Sequence, residues 1–351
     1  MPEEDSPEED SLDVRYSAEQ RALRDAAAHV VDRLGPQAMG QLDDAERAAK
    51  LDAAVASSGW RELRTANDEG APWASAVEVA IVAEELARGR ADAPYLGPTL
   101  AAELRRLAGA PEAVGRETVA LRPDLSALAE EGADALAIDA AGAEAALLLI
   151  TGEGGSTLAH VPLGGAATGV DLTRPAVPLS TTAASAVPNQ SRTISEDDLH
   201  RWTALGLAVT GADLVGAMQG ALDLTVEYAK QRQQYGRHIG SFQAVQHLLA
   251  DAVVHLEGSR TAALHAAWAV DALAPADALA ATASAKAYAS RAARTVCEIT
   301  IQVHGGIGNT WECLTHVHLR RALFATDVLG GVGTNLARVL QHRIGATDGL
   351  R

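Results

Sequence analysis

Arginine, glutamine and glycine recur in the C-terminal third at spacings suited to holding a phosphate-bearing ligand. The stretch Tyr228-Ala-Lys-Gln-Arg-Gln-Gln-Tyr-Gly-Arg-His-Ile-Gly-Ser-Phe-Gln243 sets Arg232 close to Gln234, Tyr235, Phe242 and Gln243. A guanidinium offers phosphate oxygens a rigid fork of N–H donors, a bidentate geometry that lysine does not reproduce. Further along, Gln302-Val-His-Gly-Gly-Ile-Gly308 supplies Gly305, Gly306 and Gly308. Glycine permits positive φ and lets backbone N–H groups approach an anion with no Cβ in the way. Each stretch alone has a plainer reading, the first as an exposed basic turn and the second as a simple loop. Their co-occurrence favours a site, as does the position of the glycines at a helix end ahead of Trp311-Glu312 and Arg320-Arg321.

Other reactive side chains point to less. His304 has no second ligand at helical spacing before it, and His316 and His318 fall on opposite sides of their turn, so no metal is expected. His247 and His255 lie eight residues apart on a helix face and suit packing or solvent. Cys297 and Cys313 are too few for a disulfide framework and lack zinc-site spacing, so both read as buried thiols.

The elements that must position these groups are legible from periodicity. Ser17, with Gln20 three residues on, caps a helix whose Leu23, Ala27, Val30, Val31 and Leu34 form one stripe and which ends at Gly35-Pro36. Further helices are predicted over 43–57, 75–88 and 100–107, giving an N-terminal helical domain over 16–115. Short apolar runs at 145–151 and 158–163, separated by Gly, Pro, Asp and Thr, predict a small β domain over 116–194. Over 195–345, Ser195 and its acidic first turn open a helical region in which 201–233, 241–271, 276–306 and 316–343 read as four helices, hence a bundle. The fold class expected is mostly α with a small central β domain.

Composition excludes several roles. A net charge of −17 argues against nucleic-acid or anionic-lipid surfaces, which need clustered positive charge. No apolar run approaches a membrane span, and the start of the chain has neither the basic residues nor the apolar core of a secretion signal, so a cytoplasmic protein is expected. Residues 1–15, dense in acid and holding two prolines, are expected to form a disordered tail.

In domain order and in the two stretches above, the chain resembles the acyl-CoA dehydrogenase family over roughly residues 17–343. The segment Val79-Ala-Ile-Val-Ala-Glu-Glu-Leu-Ala-Arg-Gly89 adds a fair match. The resemblance implies FAD. It places Arg232 at the arginine that reaches an FAD pyrophosphate on a neighbouring subunit. Gln234 and Tyr235 fall where the family lines the adenosine end, and Phe242-Gln243 where a pair packs and hydrogen-bonds around the cofactor. Gln302, Gly305, Gly306 and Gly308 fall on the loop that approaches the partner subunit's FAD, and Thr334 on the threonine of the family's Tyr-Glu-Gly-Thr stretch.

Dehydrogenation beside a thioester needs a carboxylate for the α proton while the β hydride leaves to the flavin. Here the Tyr-Glu-Gly-Thr stretch reads Gly331-Val332-Gly333-Thr334, and Val332 cannot accept a proton. Some members place the base on the first bundle helix, where Asp213 is the sole carboxylate of 203–216; Glu312 matches a structural position. The family segment that contacts the flavin ring has only Leu121-Arg-Pro-Asp-Leu-Ser126 to correspond to it. The chain thus resembles the smaller subunits of heterotetrameric enzymes that oxidise CoA-activated steroid side chains. The implied partners are a second acyl-CoA dehydrogenase subunit in an α2β2 assembly, an acyl-CoA substrate and electron-transfer flavoprotein. Two alternatives stand beside this: a self-sufficient homo-oligomer using Asp213, and a noncatalytic scaffold. Gly206, Gly211 and Gly216 are expected to leave room for an acyl group.

Overall fold

Local sequence signals set the first four helices in a computed structural model, which describes residues 16–152, 155–164 and 169–348. The tail expected over 1–15 lies outside the described residues. Helix α1 (Ala18–Leu34) starts with a reciprocal cap, Gln20 N to Ser17 Oγ at 3.1 Å and Ser17 N to Gln20 Oε1 at 3.0 Å. Asp44 and Ser75 cap α2 (Ala45–Ser57) and α3 (Ala76–Arg88). Helix α4 (Leu96–Ala108) begins earlier than the apolar pattern predicts. Pro98 sits in its first turn, where a missing N–H breaks no hydrogen bond.

The β domain is one six-stranded sheet. Its strands are β1 (Glu117–Leu121), β2 (Asp134–Ala137), β3 (Ala145–Gly152), β4 (Gly155–Pro162), β5 (Val177–Ser180) and β6 (Ser185–Ala186), in the order β5-β2-β1-β3-β4-β6. Strands β1 and β3 run parallel with Val119 opposite Leu147, and every other pairing is antiparallel. Alternation along the strands sends Val119, Leu147, Leu149 and Leu158 into the core shared with α4, while Ala120, Ala146, Leu148 and Ala159 form a separate small core.

Helix α5 (Glu196–Gln231) is the axis of the C-terminal region. Its most apolar window reaches a mean hydropathy of 1.3, enough by length and composition for a membrane span, which corrects the expectation that no run approaches one. That window is 94% buried against the rest of the protein, so it is a core helix. A hairpin of β7 (Gln233–Gln234) and β8 (Arg237–His238) leads into α6 (Gln243–Ala272) and α7 (Pro275–His304). The predicted fourth helix over 316–343 is instead two, α8 (Thr315–Asp327) and α9 (Val332–Asp348). Leu329 and Gly330 turn left-handed between them, at φ 59° and 97°, and Asn335 Nδ2 satisfies the freed carbonyls of Gly330 and Gly331 at 2.6 and 3.2 Å.

Candidate functional site

The ends of α5 and α7 are drawn together by Tyr228, whose ring stacks on His304 with centroids 4.3 Å apart. His304 Nδ1 lies 2.8 Å from the Thr300 carbonyl, and burial lowers the pKa of the ring. This contact joins α5 one turn before its C-cap Arg232 to the last residue of α7, which the Gly305–Asn309 turn follows. The two stretches singled out in the sequence are therefore neighbours.

Both open outward. The Arg232, Gln234, Gln243 and Gln302 side chains are exposed and form no hydrogen bond or ion pair among the described residues. Gly305 adopts φ 67° and ψ −143°, a backbone that residues with a Cβ rarely reach, and a Cβ built on it or on Gly306 would meet nothing within 4 Å. Gly308 differs. It is buried, and a Cβ there would come within 2.8 Å of the Ile301 carbonyl, so its smallness serves packing. Across the hairpin Tyr235 is 93% exposed, and half-buried Phe242 meets its ring edge-on at 6.3 Å and lies under Arg237 at 4.3 Å. An unpaired guanidinium, free carboxamides, an exposed aromatic and an open backbone turn without Cβ atoms at Gly305 and Gly306 together suit a phosphate-bearing nucleotide that arrives from outside the chain.

Thr334 is not part of this cluster. It stands near the start of α9 beside Gly330. Lys286, which holds Val328, and His304 lie 18 residues apart on α7, or roughly 27 Å at the helical rise.

Asp213 lies deep between the first and third domains, 3% exposed. Both its oxygens are taken. Arg174 donates from Nη2 to Oδ2 at 2.9 Å and from Nη1 to Oδ1 at 3.2 Å, and Arg321 donates from Nη2 to Oδ1 at 2.6 Å. Asp171 accepts from Arg174 Nε at 2.9 Å, while Arg321 also reaches Thr173 Oγ1 and the Ala91 carbonyl. Burial opposes the charge of Arg174, but Asp213, Asp171 and Asp139 outweigh it and raise its pKa. The cavity beside Asp213 measures about 10 Å3, space for one water and not for a thioester. The geometry makes Asp213 the centre of a buried ion-pair cluster, with no lone pair turned to a substrate.

The glycines expected to leave room are mostly spent on close packing. A Cβ on Gly206 would fall 2.1 Å from Leu329 Cδ1, and one on Gly216 would fall 2.0 Å from the Glu84 carbonyl of α3; only Gly211 has open space. Leu329 is fully buried, so it and not Val332 is the side chain that the α8–α9 loop turns into the interior. Neither can accept a proton. The same loop is tied down from three sides: Leu329 N to Leu125 O at 2.7 Å, Arg338 Nη2 to Ser126 O at 3.3 Å, and Lys286 Nζ to Val328 O at 3.1 Å and Ala325 O at 2.7 Å. Lys286 completes its set with Thr210 Oγ1 at 2.8 Å, and burial pushes its pKa down to about 7.

Sequence reasoning missed Arg174, Lys286 and Tyr228 as organising residues. One signal was available for Lys286, one of three lysines in the chain and set directly between alanines. Cys297 is buried as expected, whereas Cys313 is only half-buried, its Sγ 2.9 Å from Thr315 Oγ1.

Residues 204–343 match the family model for the acyl-CoA dehydrogenase C-terminal domain. The acyl-CoA dehydrogenase IpdE2 of Mycobacterium tuberculosis is 35% identical over 263 residues, covering 72% of this chain and 73% of that protein. IpdE2 of Mycolicibacterium smegmatis is 36% identical over 171 residues, 47% of this chain and half the length of the relative. Among solved structures, a variant of the Tcur3481-Tcur3483 steroid ACAD superposes with a TM-score of 0.81 at 24% identity, covering 94% of this chain and 99% of that one. The ChsE4-ChsE5 complex from Mycobacterium tuberculosis follows at 0.77 and 24%, covering 95% and 99%. At that identity the superpositions establish a shared fold, and the sequence relationship to IpdE2 carries the rest: this chain is a member of the acyl-CoA dehydrogenase family.

Proposed function

We propose that the chain is a subunit of an FAD-dependent acyl-CoA dehydrogenase whose cofactor and thioester lie between unlike subunits. One contrast carries the reading. The side-chain donors at Arg232 and Gln302 open outward without partners among the described residues, while the chain's own interior cleft is shut by Leu329 and the Asp213 ion pairs, and the cavity of about 10 Å3 beside Asp213 and Asp139 leaves no room for a thioester. FAD, when bound, supplies acceptance of the hydride from the thioester β carbon. Arg232, Gln302 and the Gly305-Gly306 backbone would hold its pyrophosphate, Gln234 and Tyr235 its adenosine end, and Phe242 and Gln243 would pack and hydrogen-bond alongside. The α proton passes to a glutamate of a second acyl-CoA dehydrogenase subunit, so that a Cα=Cβ bond forms as both hydrogens leave. This reading implies electron-transfer flavoprotein as the electron acceptor and the cytoplasm as the compartment.

That the two superposed structures are a steroid ACAD and a ChsE4-ChsE5 complex supports an α2β2 assembly acting on a steroid side-chain thioester. The test is flavin stoichiometry. The chain made alone should carry little flavin, and coexpression with an acyl-CoA dehydrogenase that keeps the family glutamate should give one FAD per pair. A homo-oligomer that binds one flavin per chain and turns over acyl-CoA would overturn the reading.

A further inference from the structure

A polar pocket of about 300 Å3 lies where the Arg64–Pro72 segment, the C-terminal half of α4, the approach to α5 and the end of α6 meet. Four guanidiniums line it, Arg64, Arg106, Arg192 and Arg201, against the carboxylates of Glu103, Asp198 and Asp271. The carboxylates are already engaged. Glu103 accepts from Arg64 at 3.1 Å and Arg106 at 2.7 Å, and Asp271 accepts from Arg64 at 3.1 Å and the Ala76 N–H at 2.6 Å. Asp198 caps α5 through Ser195 N and Oγ at 3.0 and 2.7 Å.

The other two guanidiniums are left over. Arg192 donates only to the Leu107 carbonyl, and Arg201, half-buried on the first turns of α5, makes no hydrogen bond or ion pair among the described residues. Neither has a carboxylate within ion-pair reach among those residues. Two unneutralised cations on one concave surface stand out in a chain of net charge −17. A larger groove of about 350 Å3 along α4 makes the contrast, because its arginines are spent: Arg61 and Arg116 share Asp52, and Arg105 grips Glu117.

We infer that the pocket at the three-domain junction is an oxyanion site that takes a phosphate group, clamped by Arg192 and Arg201. Two planar forks match the oxygens of a phosphate bidentately, which a single carboxylate cannot engage as fully. The volume exceeds that of a bare phosphate, so a small phosphate monoester also fits. Because the lining comes from all three domains, occupancy favours the assembled fold over the unfolded chain.

The experiment uses the full-length chain, isothermal titration calorimetry and thermal unfolding at constant ionic strength, with inorganic phosphate, glycerol 3-phosphate and acetate as probes. Phosphate and the monoester should bind and raise Tm where acetate does not, and the tighter of the two identifies the source of the group. Arg192→Gln with Arg201→Gln should weaken phosphate binding at least 10-fold, and Tm without phosphate should fall only through the lost Arg192 hydrogen bonds to the Leu107 carbonyl, as it does in Arg192→Gln alone, since Arg201 has no hydrogen bond or ion pair among the described residues to lose. Equal behaviour of acetate and phosphate on the wild-type chain would overturn the site, and that comparison needs no variant. Undiminished binding in the double variant would overturn it too.

Discussion

Leu329 donates its backbone N–H to the Leu125 carbonyl at 2.7 Å, and both leucines hold left-handed backbones, at φ 59° and 60°. Each such conformation costs a residue with a Cβ about 1–2 kcal/mol, and it persists only where the surroundings fix it. Here the loop after β1 and the loop between α8 and α9 fix each other. In the family resemblance these are the loops that face the flavin ring and carry the base. In this chain they are fastened together, with Leu329 driven into the space against Gly206 and Leu100.

That packing gives a non-additive pair. Alanine ordinarily improves a helix interior over glycine by about 1 kcal/mol. Gly206→Ala should nevertheless destabilise the chain by about 1–3 kcal/mol, because its Cβ would fall 2.1 Å from Leu329 Cδ1. Leu329→Ala alone should cost about 2–5 kcal/mol. In the Leu329→Ala background, Gly206→Ala should turn stabilising. Urea unfolding of the four proteins measures the coupling, and strict additivity would refute the packing argument.

Asp213→Asn should act on the fold. It removes the charge shared by Arg174 and Arg321, both at most 5% exposed as side chains, and leaves two guanidiniums buried with too little compensation. A loss of about 3–5 kcal/mol is expected by urea unfolding. A variant of unchanged stability whose turnover disappears would restore Asp213 as the catalytic base.

How much of this was legible in the sequence follows from what each feature depends on. Caps and stripes are local, so Ser17-Gln20 and Ser195 announced their helices. Arg232 and the Gly305 turn were visible because both are marked by residue type at short spacing. The juxtaposition of Asp213 with Arg174 and Arg321 was not, since it joins α5, a loop and α8 across 39 and 108 positions. The break between α8 and α9 also escaped the periodic reading. Apolar spacing runs through Val328 and Val332, and the left-handed turn at Leu329 and Gly330 stops the helix; Gly330-Gly331 was a local breaker that the periodic reading passed over, whereas the turn at Leu329 is enforced by partners distant in sequence.

The adjacent glycines of the 305–306 pair should separate folding from ligand approach. Gly305→Ala forces a Cβ into the φ 67° conformation and should cost about 1–3 kcal/mol in the isolated chain. Gly306 has no positive φ and open space around its Cβ position, so Gly306→Ala should leave stability unchanged. If this backbone lies against a nucleotide in the assembled enzyme, Gly306→Ala will still lower the flavin-to-protein ratio of the complex. Full flavin content in that variant would place the cofactor elsewhere.

Lys286 makes stability depend on pH in a defined direction. Burial lowers its pKa from 10.5 to about 7, although the Asp213 and Asp327 charges oppose that shift. Between those values the unfolded chain holds a proton that the native chain lacks, so stability rises with pH across that window. Below it both states carry the proton and the contribution is flat. Lys286→Met removes the titrating group while keeping most of the side-chain volume, and adds a constant penalty for the carbonyls of Ala325 and Val328 that lose a donor. The stability of wild type minus that of the Met variant should therefore climb between pH 7 and 10 by up to about 4 kcal/mol, at 1.36 kcal/mol per unit. Urea unfolding at intervals across pH 6–10 measures the slope. A difference that stays level, or that falls as pH rises, would mean the amine keeps its ordinary proton affinity and the loop it holds is open to water.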